Sequence, residues 1–152
     1  MNEKKTVVGV TGANGFIGSN IVNKLHKEGF RVISLQRTIP SSSNNETRVF
    51  DLCKLDTINE ELLYGIDILI HNAALVHKPQ ADKHLYKTMN FEATKKLYEL
   101  STNLNIKKFI FLSTVGVYGK NSYSYPIDIN FPVSPKSEYE VSKLDSENYL
   151  LH

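Results

Sequence analysis

The sequence predicts an α/β protein built on a doubly wound parallel sheet, with helices on both faces in a three-layer αβα arrangement. Three observations carry that reading. Five short runs rich in β-branched and apolar residues alternate with segments of helical period. The first run ends in a glycine-rich turn, Gly12 to Gly18, that opens directly onto a helical segment. The chain has 152 residues, which suits a single domain with one core over residues 1–152.

Thr6 to Thr11 (TVVGVT) reads as the first strand, followed by the glycine turn and a helix on which Ile17, Ile21, Val22 and Leu25 share a face. Gly29 stops that helix, and Arg31 to Gln36 (RVISLQ) is a second strand, completing a right-handed βαβ unit of the Rossmann type. Thr38 to Glu46 is rich in Ser and Asn and reads as a surface loop. A brief strand at Arg48 to Phe50, a helix near Thr57 to Leu63 and a strand at Asp67 to His71 follow. Ala93, Leu97, Leu100 and Leu104 trace one face of a long helix that starts after Pro79. Lys107 to Ser113 is the fifth strand, Lys120 to Pro135 a loop, and Glu138 to Leu151 a final helix. In such a sheet, ligands are expected beyond the carboxyl ends of the strands, where the strand order reverses.

Composition excludes several classes. Apolar residues make up 41%, with eight tyrosines and seven phenylalanines, enough to rule out wholesale disorder. Eighteen basic against sixteen acidic residues give a net charge of only +2, dispersed along the chain, which argues against nucleic-acid binding. The single cysteine, Cys53, forms no intrachain disulfide, and no Cys/His cluster has metal-ligand spacing, so no metal is expected. A cytoplasmic setting fits, and the polar start reads as neither a signal peptide nor a membrane span.

The motifs carry the chemistry. Gly12, Gly15 and Gly18 (TGANGFIG) lie between a strand and a helix, a triplet that chance would place about 0.02 times in this composition. Gly12 permits the tight turn, Gly15 admits a pyrophosphate to the backbone, and Gly18 allows close packing of helix on sheet. The helix N-terminus then offers free N–H groups to phosphates. Tyr139 and Lys143 form Tyr-x-x-x-Lys, one turn apart on one helix face, a spacing that chance supplies about 0.8 times. Its weight comes from Ser113 and Thr114 at the end of the fifth strand, where a hydroxyl, a phenol and an ammonium can converge.

TGANGFIG, Asp51-Leu52, His71 to Ala74 (HNAA), Asn90 in MNFEAT, Leu112 to Gly119 (LSTVGVYG) and Tyr139 to Lys143 (YEVSK) occur in this order. In these motifs the chain resembles the N-terminal part of an extended short-chain dehydrogenase/reductase of the NAD(P)-dependent epimerase/dehydratase group. The resemblance implies binding of NAD or NADP and hydride transfer at a sugar carbon of a nucleotide diphosphate sugar. It implies that Tyr139 is the acid/base, that Lys143 holds the nicotinamide ribose and lowers the phenol's pKa, and that Thr114 hydrogen-bonds the reacting sugar hydroxyl. Gly12, Asn14, Gly15, Phe16, Ile17, Gly18, Arg37, Asp51, Leu52, Ala73, Ala74 and Asn90 would contact the cofactor with Tyr139 and Lys143, Asp51 at the adenine amino group and Leu52 against the ring. His71 and His77 read as structural rather than chemical.

Three departures refine this. An acidic residue is expected at the end of the second strand to bind the adenosine ribose, but Gln36 and Arg37 stand there, which leans the expectation towards NADP. Val115 and Gly116 follow Thr114 where sugar dehydratases of the group carry an Asp-Glu pair, which favours C4 epimerisation or C4 oxidation/reduction over dehydration. Family members run to about twice this length, so a C-terminal substrate domain is expected to be absent, and the 152-residue chain alone to be weak or inactive on sugar nucleotides. The competing expectation is a non-catalytic NAD(P)-binding or regulatory module. Without the later strands, the fifth strand would expose apolar residues and a free edge, so self-association as a homo-oligomer is also expected.

Overall fold

The computed structural model describes residues 5–41, 46–76, 81–119 and 126–152. Five parallel strands, β1 (Val7–Thr11), β2 (Arg31–Gln36), β3 (Glu46–Val49), β4 (Ile68–His71) and β5 (Lys108–Phe111), form one sheet in the order β3-β2-β1-β4-β5. The chain winds outward from β1 to β3 and returns past β1 to β4 and β5, so the order reverses between β1 and β4. This is the doubly wound, Rossmann-type fold, and its crevice opens at the carboxyl ends of β1 and β4.

Every residue of β1 is buried, as a central strand covered on both faces requires. On one face Val7, Ile33, Leu35 and Leu69 pack with α2 (Glu60–Leu63) and α4 (Ala93–Asn103). On the other, Val8, Val10 and Val32 pack against Val22 of α1 (Phe16–Lys27). The last helix, α5 (Glu138–Leu151), lies against α4 and the segment before it, on the α4 face of the sheet. Ile110 on the edge strand β5 is 44% exposed. No helix among the described residues is long and apolar enough to cross a membrane.

Element boundaries depart from the sequence reading where side chains intervene. β3 begins at Glu46, which the Ser/Asn composition assigns to a loop, because the Glu46 carboxylate bridges Arg31 at 2.6 Å and Arg48 at 2.9 Å along the sheet edge. The segment 57–63 is not one helix: a 3₁₀ turn, Leu55–Thr57, precedes α2, which restarts at Asn59, whose side chain accepts from the Leu62 N–H at 3.0 Å. The long helix is three pieces in line, α3 (Lys83–Tyr86), a π-helical stretch Lys87–Glu92, and α4. β5 stops at Phe111, and the chain then forms an unexpected 3₁₀ turn over Val115–Tyr118. His77, Pro79 and residues 120–125 lie outside the described residues.

The start of α5 carries a local signal that hydrophobic periodicity overlooks. Ser137 and Glu140 form a capping box, with the Ser137 hydroxyl accepting from the Glu140 N–H at 3.3 Å and the Glu140 carboxylate accepting from the Ser137 N–H at 2.9 Å. The same carboxylate takes the Lys136 N–H at 2.6 Å. This fixes where the helix begins, and hence where Tyr139 and Lys143 sit.

Candidate functional site

A cavity of about 290 Å³ occupies the crevice at the ends of β1 and β4. Gly12, Asn14 and Gly15 form one wall; Gln36, Arg37, Phe50, Asp51 and Leu52 form the second; Asn72, Ala73, Ala74, Leu75 and Met89 form the third. Eight of the residues singled out by sequence therefore meet on one cavity. Gln36, noted already at the end of β2, joins them with Phe50, Asn72, Leu75 and Met89, of which Asn72 and Met89 lie inside HNAA and MNFEAT and the other two are marked by no motif.

The glycine loop explains the approach. Gly12 has φ +64, and a Cβ there would meet the Ala73 Cα at 3.1 Å, so the loop after β1 and the loop after β4 touch through it. Gly18 lies on the inner side of α1, where a Cβ would stand 2.1 Å from the Gly12 carbonyl oxygen. Gly15 is the N-cap of α1, with no capping side chain and no acidic residue in the first turn. The first N–H groups of a 12-residue helix are thus left for a ligand at the cavity mouth. Phe16 and Ile17 are 88% and 53% exposed and off the cavity wall, so what they offer a ligand there is backbone N–H.

At the far end, Asp51 spends one carboxylate oxygen on the Cys53 N–H at 3.0 Å, a local turn, while standing on the cavity rim. Leu52 belongs both to the core and to the cavity wall. Gln36 turns its amide inward to the Thr38 carbonyl at 2.9 Å, leaving Arg37, exposed, as the cationic residue of this wall, with Asp51 as the anionic one. Asn90 is not on the wall. It is 1% exposed, and its amide is held by both backbone groups of Leu75, at 2.7 and 3.0 Å, and by the Ser142 hydroxyl at 2.9 Å.

Thr114 caps the 3₁₀ turn, its Oγ1 accepting from the Gly116 N–H at 3.1 Å, and its hydroxyl is hydrogen-bonded to the Tyr139 phenol. Ser113, the alternative hydroxyl, is exposed and faces a separate groove with Tyr98 and Phe111. A Cβ on Gly116 would stand 2.8 Å from the Glu140 Cγ, so the residue after Val115 has no room for a side chain while Glu140 holds the capping box.

The expected lowering of the Tyr139 pKa by Lys143 is not what the structure shows. Burial pushes the phenol up from 10.0, the Thr114 hydroxyl opposes this, and the nearby Glu140 adds to it. The reason lies in Lys143, which is 2% exposed with its ammonium 3.9 Å over the Phe111 ring. Its own pKa falls to about 8 through burial, with Glu147 pulling the other way.

Beneath both parts lies a buried polar line that the sequence reading treats only as structure. His71 Nδ1 meets Thr11 Oγ1 at 2.8 Å and its Nε2 meets Thr94 Oγ1 at 2.9 Å. Thr11 Oγ1 also receives the N–H groups of Asn72 and Ala73, at 3.0 and 2.9 Å. Burial, reinforced by the Lys143 charge, pushes the His71 pKa down to about 3, so the ring is neutral at neutral pH.

A family model described as the NAD dependent epimerase/dehydratase family matches residues 8–152. The chain belongs to that family. Among its relatives, a putative UDP-glucose 4-epimerase of Methanocaldococcus jannaschii is 32% identical over 149 residues, covering 93% of this chain and 48% of the relative. A sterol-4-alpha-carboxylate 3-dehydrogenase of Dictyostelium discoideum is 32% identical over 153 residues, covering 93% of this chain and 46% of that one. The NAD complex of the UDP-glucose 4-epimerase of Thermus thermophilus superimposes with a TM-score of 0.85 at 28% identity, over 96% of this chain and 50% of that structure. The chain thus spans about half the length of the relatives it matches.

Proposed function

We propose that this chain is the dinucleotide-binding part of an NAD(P)-dependent enzyme that oxidises and reduces, or epimerises, a nucleotide sugar at C4. The observation that carries it is the joining of two devices at one end of the sheet. A cavity rimmed by a glycine loop and a helix N-terminus stands at the same, carboxyl, end of the sheet as a threonine hydroxyl hydrogen-bonded to the tyrosine of a Tyr-x-x-x-Lys pair. The cavity fits a dinucleotide: the uncapped α1 N-terminus suits the pyrophosphate, and the small Ala73 and Ala74 leave room along β4.

The chemistry a bound nicotinamide would supply here is reversible hydride transfer at the sugar carbon. Tyr139 handles the accompanying proton. With its pKa above 10.0 the phenol is protonated at neutral pH and poised to donate, and Thr114 orients its oxygen. For the reverse role as base, the phenolate needs a nearby positive charge, which Lys143, one turn along α5, supplies once its ammonium leaves Phe111. In this reading Gly116 keeps the position free of a carboxylate, consistent with hydride chemistry without elimination of water. A second reading, a dehydrogenase of a non-sugar substrate, draws on the relative named as a sterol-4-alpha-carboxylate 3-dehydrogenase. The nucleotide sugar is favoured because UDP-sugar epimerases recur among the matches.

Titration calorimetry with NAD and NADP tests the binding step. The folded chain is expected to bind at least one of them, and no heat with either, on a sample of native circular dichroism, overturns the reading. Gly15→Val places a branched side chain at the cavity mouth and is expected to weaken binding by about a hundredfold, while a Gly15→Val protein of unchanged affinity removes Gly15 from the site.

Arg37 is the proposed contact to the ribose end. A guanidinium, and no carboxylate, directly after β2 favours a 2′-phosphate, so NADP is expected to bind at least as tightly as NAD, with Arg37→Ala weakening NADP alone by about tenfold. Competition of both dinucleotides against one fluorescent probe measures this. An NAD preference that the substitution leaves unaltered makes Arg37 a bystander.

A further inference from the structure

We propose that His71 is a positioning residue that sets the stretch Asn72–Leu75 on the cavity wall through the direction of one buried hydrogen-bond chain, running Thr11 to His71 to Thr94 to Asn90. That the stretch serves a dinucleotide rests on the proposed function; the chain of hydrogen bonds itself does not.

The direction follows from counting protons and lone pairs. The Thr94 hydroxyl has one proton and gives it to the Asn90 carbonyl, so towards His71 it accepts, and Nε2 carries the ring's hydrogen. The neutral ring then presents a bare Nδ1, which takes the Thr11 hydroxyl proton. That leaves the two lone pairs of Thr11 Oγ1 for the N–H groups of Asn72 and Ala73. Reversing the ring would aim three donors at one hydroxyl oxygen and leave the Thr94 oxygen facing a second acceptor.

Each end of the stretch is therefore pinned from below, Asn72 and Ala73 by Thr11 and Leu75 by the Asn90 amide. The π-helical turn is what presents Asn90 so. Its carbonyl receives the Thr94 hydroxyl, the Ser146 hydroxyl lies between it at 3.2 Å and the Ser142 carbonyl at 2.9 Å, and its amide reaches the Ser142 hydroxyl, so the helix carrying Tyr139 and Lys143 hangs on the same residue. His71 joins the two strand ends that flank the crevice to this anchor, with Phe109 and Phe111 closing around the ring at 6.2 and 5.8 Å.

Two substitutions separate this from mere packing. In H71N an amide can still accept from Thr11 where Nδ1 stood; in H71Q an amide can still donate to Thr94 where Nε2 stood. Both leave part of the ring's space unfilled, so packing alone predicts similar losses. The proposal predicts that H71Q, and not H71N, loses amide-exchange protection at Asn72 and Ala73, and that dinucleotide affinity falls about tenfold further in H71Q than in H71N. Equal losses in both overturn it. Should either variant fail to fold, long-range ¹H–¹⁵N spectra of the unsubstituted chain decide: a protonated Nε2 and bare Nδ1 support the proposal, and the opposite tautomer or a doubly protonated ring overturns it. These spectra and the exchange measurement need no ligand, so failure of dinucleotide binding in the unsubstituted chain would strike the proposed function and leave the His71 result standing.

Discussion

Stability is expected to fall as the pH is lowered from 6.5 towards 3, with an onset above the range in which carboxylates titrate, because His71 is buried neutral. The sign follows from linkage. The folded ring holds its pKa near 3 against 6.5 for a free histidine, so between these values the unfolded chain binds a proton that the folded chain refuses. The stabilisation is complete above 6.5 and is lost on descent, with a slope approaching ~1.4 kcal/mol per pH unit. The Lys143 ammonium on α5 sharpens the effect, since it repels a second positive charge at the ring. Glu46, held below 4.5 chiefly by Arg31, contributes to acid loss only at lower pH. Urea unfolding at about pH 7, 6 and 5 brackets the histidine's free value and measures the slope, and H71N is expected to flatten it. A stability independent of pH over that range would mean that the ring is not held neutral.

The second large effect is at the glycine that joins helix to sheet. Gly18→Ala is expected to destabilise the fold by about 3 kcal/mol, at the upper end of overpacking costs, lowering the midpoint by roughly 10 °C. The added methyl would stand 2.1 Å from the Gly12 carbonyl oxygen and 2.8 Å from its carbon, both backbone atoms that no rotamer change can clear. Gly15→Ala is the control, since its Cβ meets the same oxygen at 3.3 Å and requires only a small shift. Thermal melts of the two variants compare them directly, and similar midpoints would show that α1 can move away from the β1 loop at little cost.

The family resemblance and most of the fold were legible because they rest on local and periodic signals. Central strands buried on both faces read as apolar runs, α1 and α4 show helical period, and the glycine triplet has a spacing that few other structures need. Boundaries were lost where a single side chain moves them, as Glu46 does by pairing with Arg31 and Arg48 and Asn59 does by capping α2. The π-helical turn at 87–92 has no periodic signature, since an inserted residue merely slips the pattern.

The sequence by itself determined the parallel sheet, the glycine turn and the residue types of the Thr114, Tyr139 and Lys143 group, because turn chemistry and hydrophobic period are encoded within a few residues of each other. Tertiary structure alone decided the electrostatics. Whether Lys143 charges Tyr139 or rests on Phe111 depends on side chains from two elements, and spacing along α5 carries no information about β5. Only the fold brings Thr11, His71, Thr94 and Asn90 into line from distant parts of the chain, and burial then dictates which nitrogen holds the proton, since each group there has no water with which to replace a missing partner.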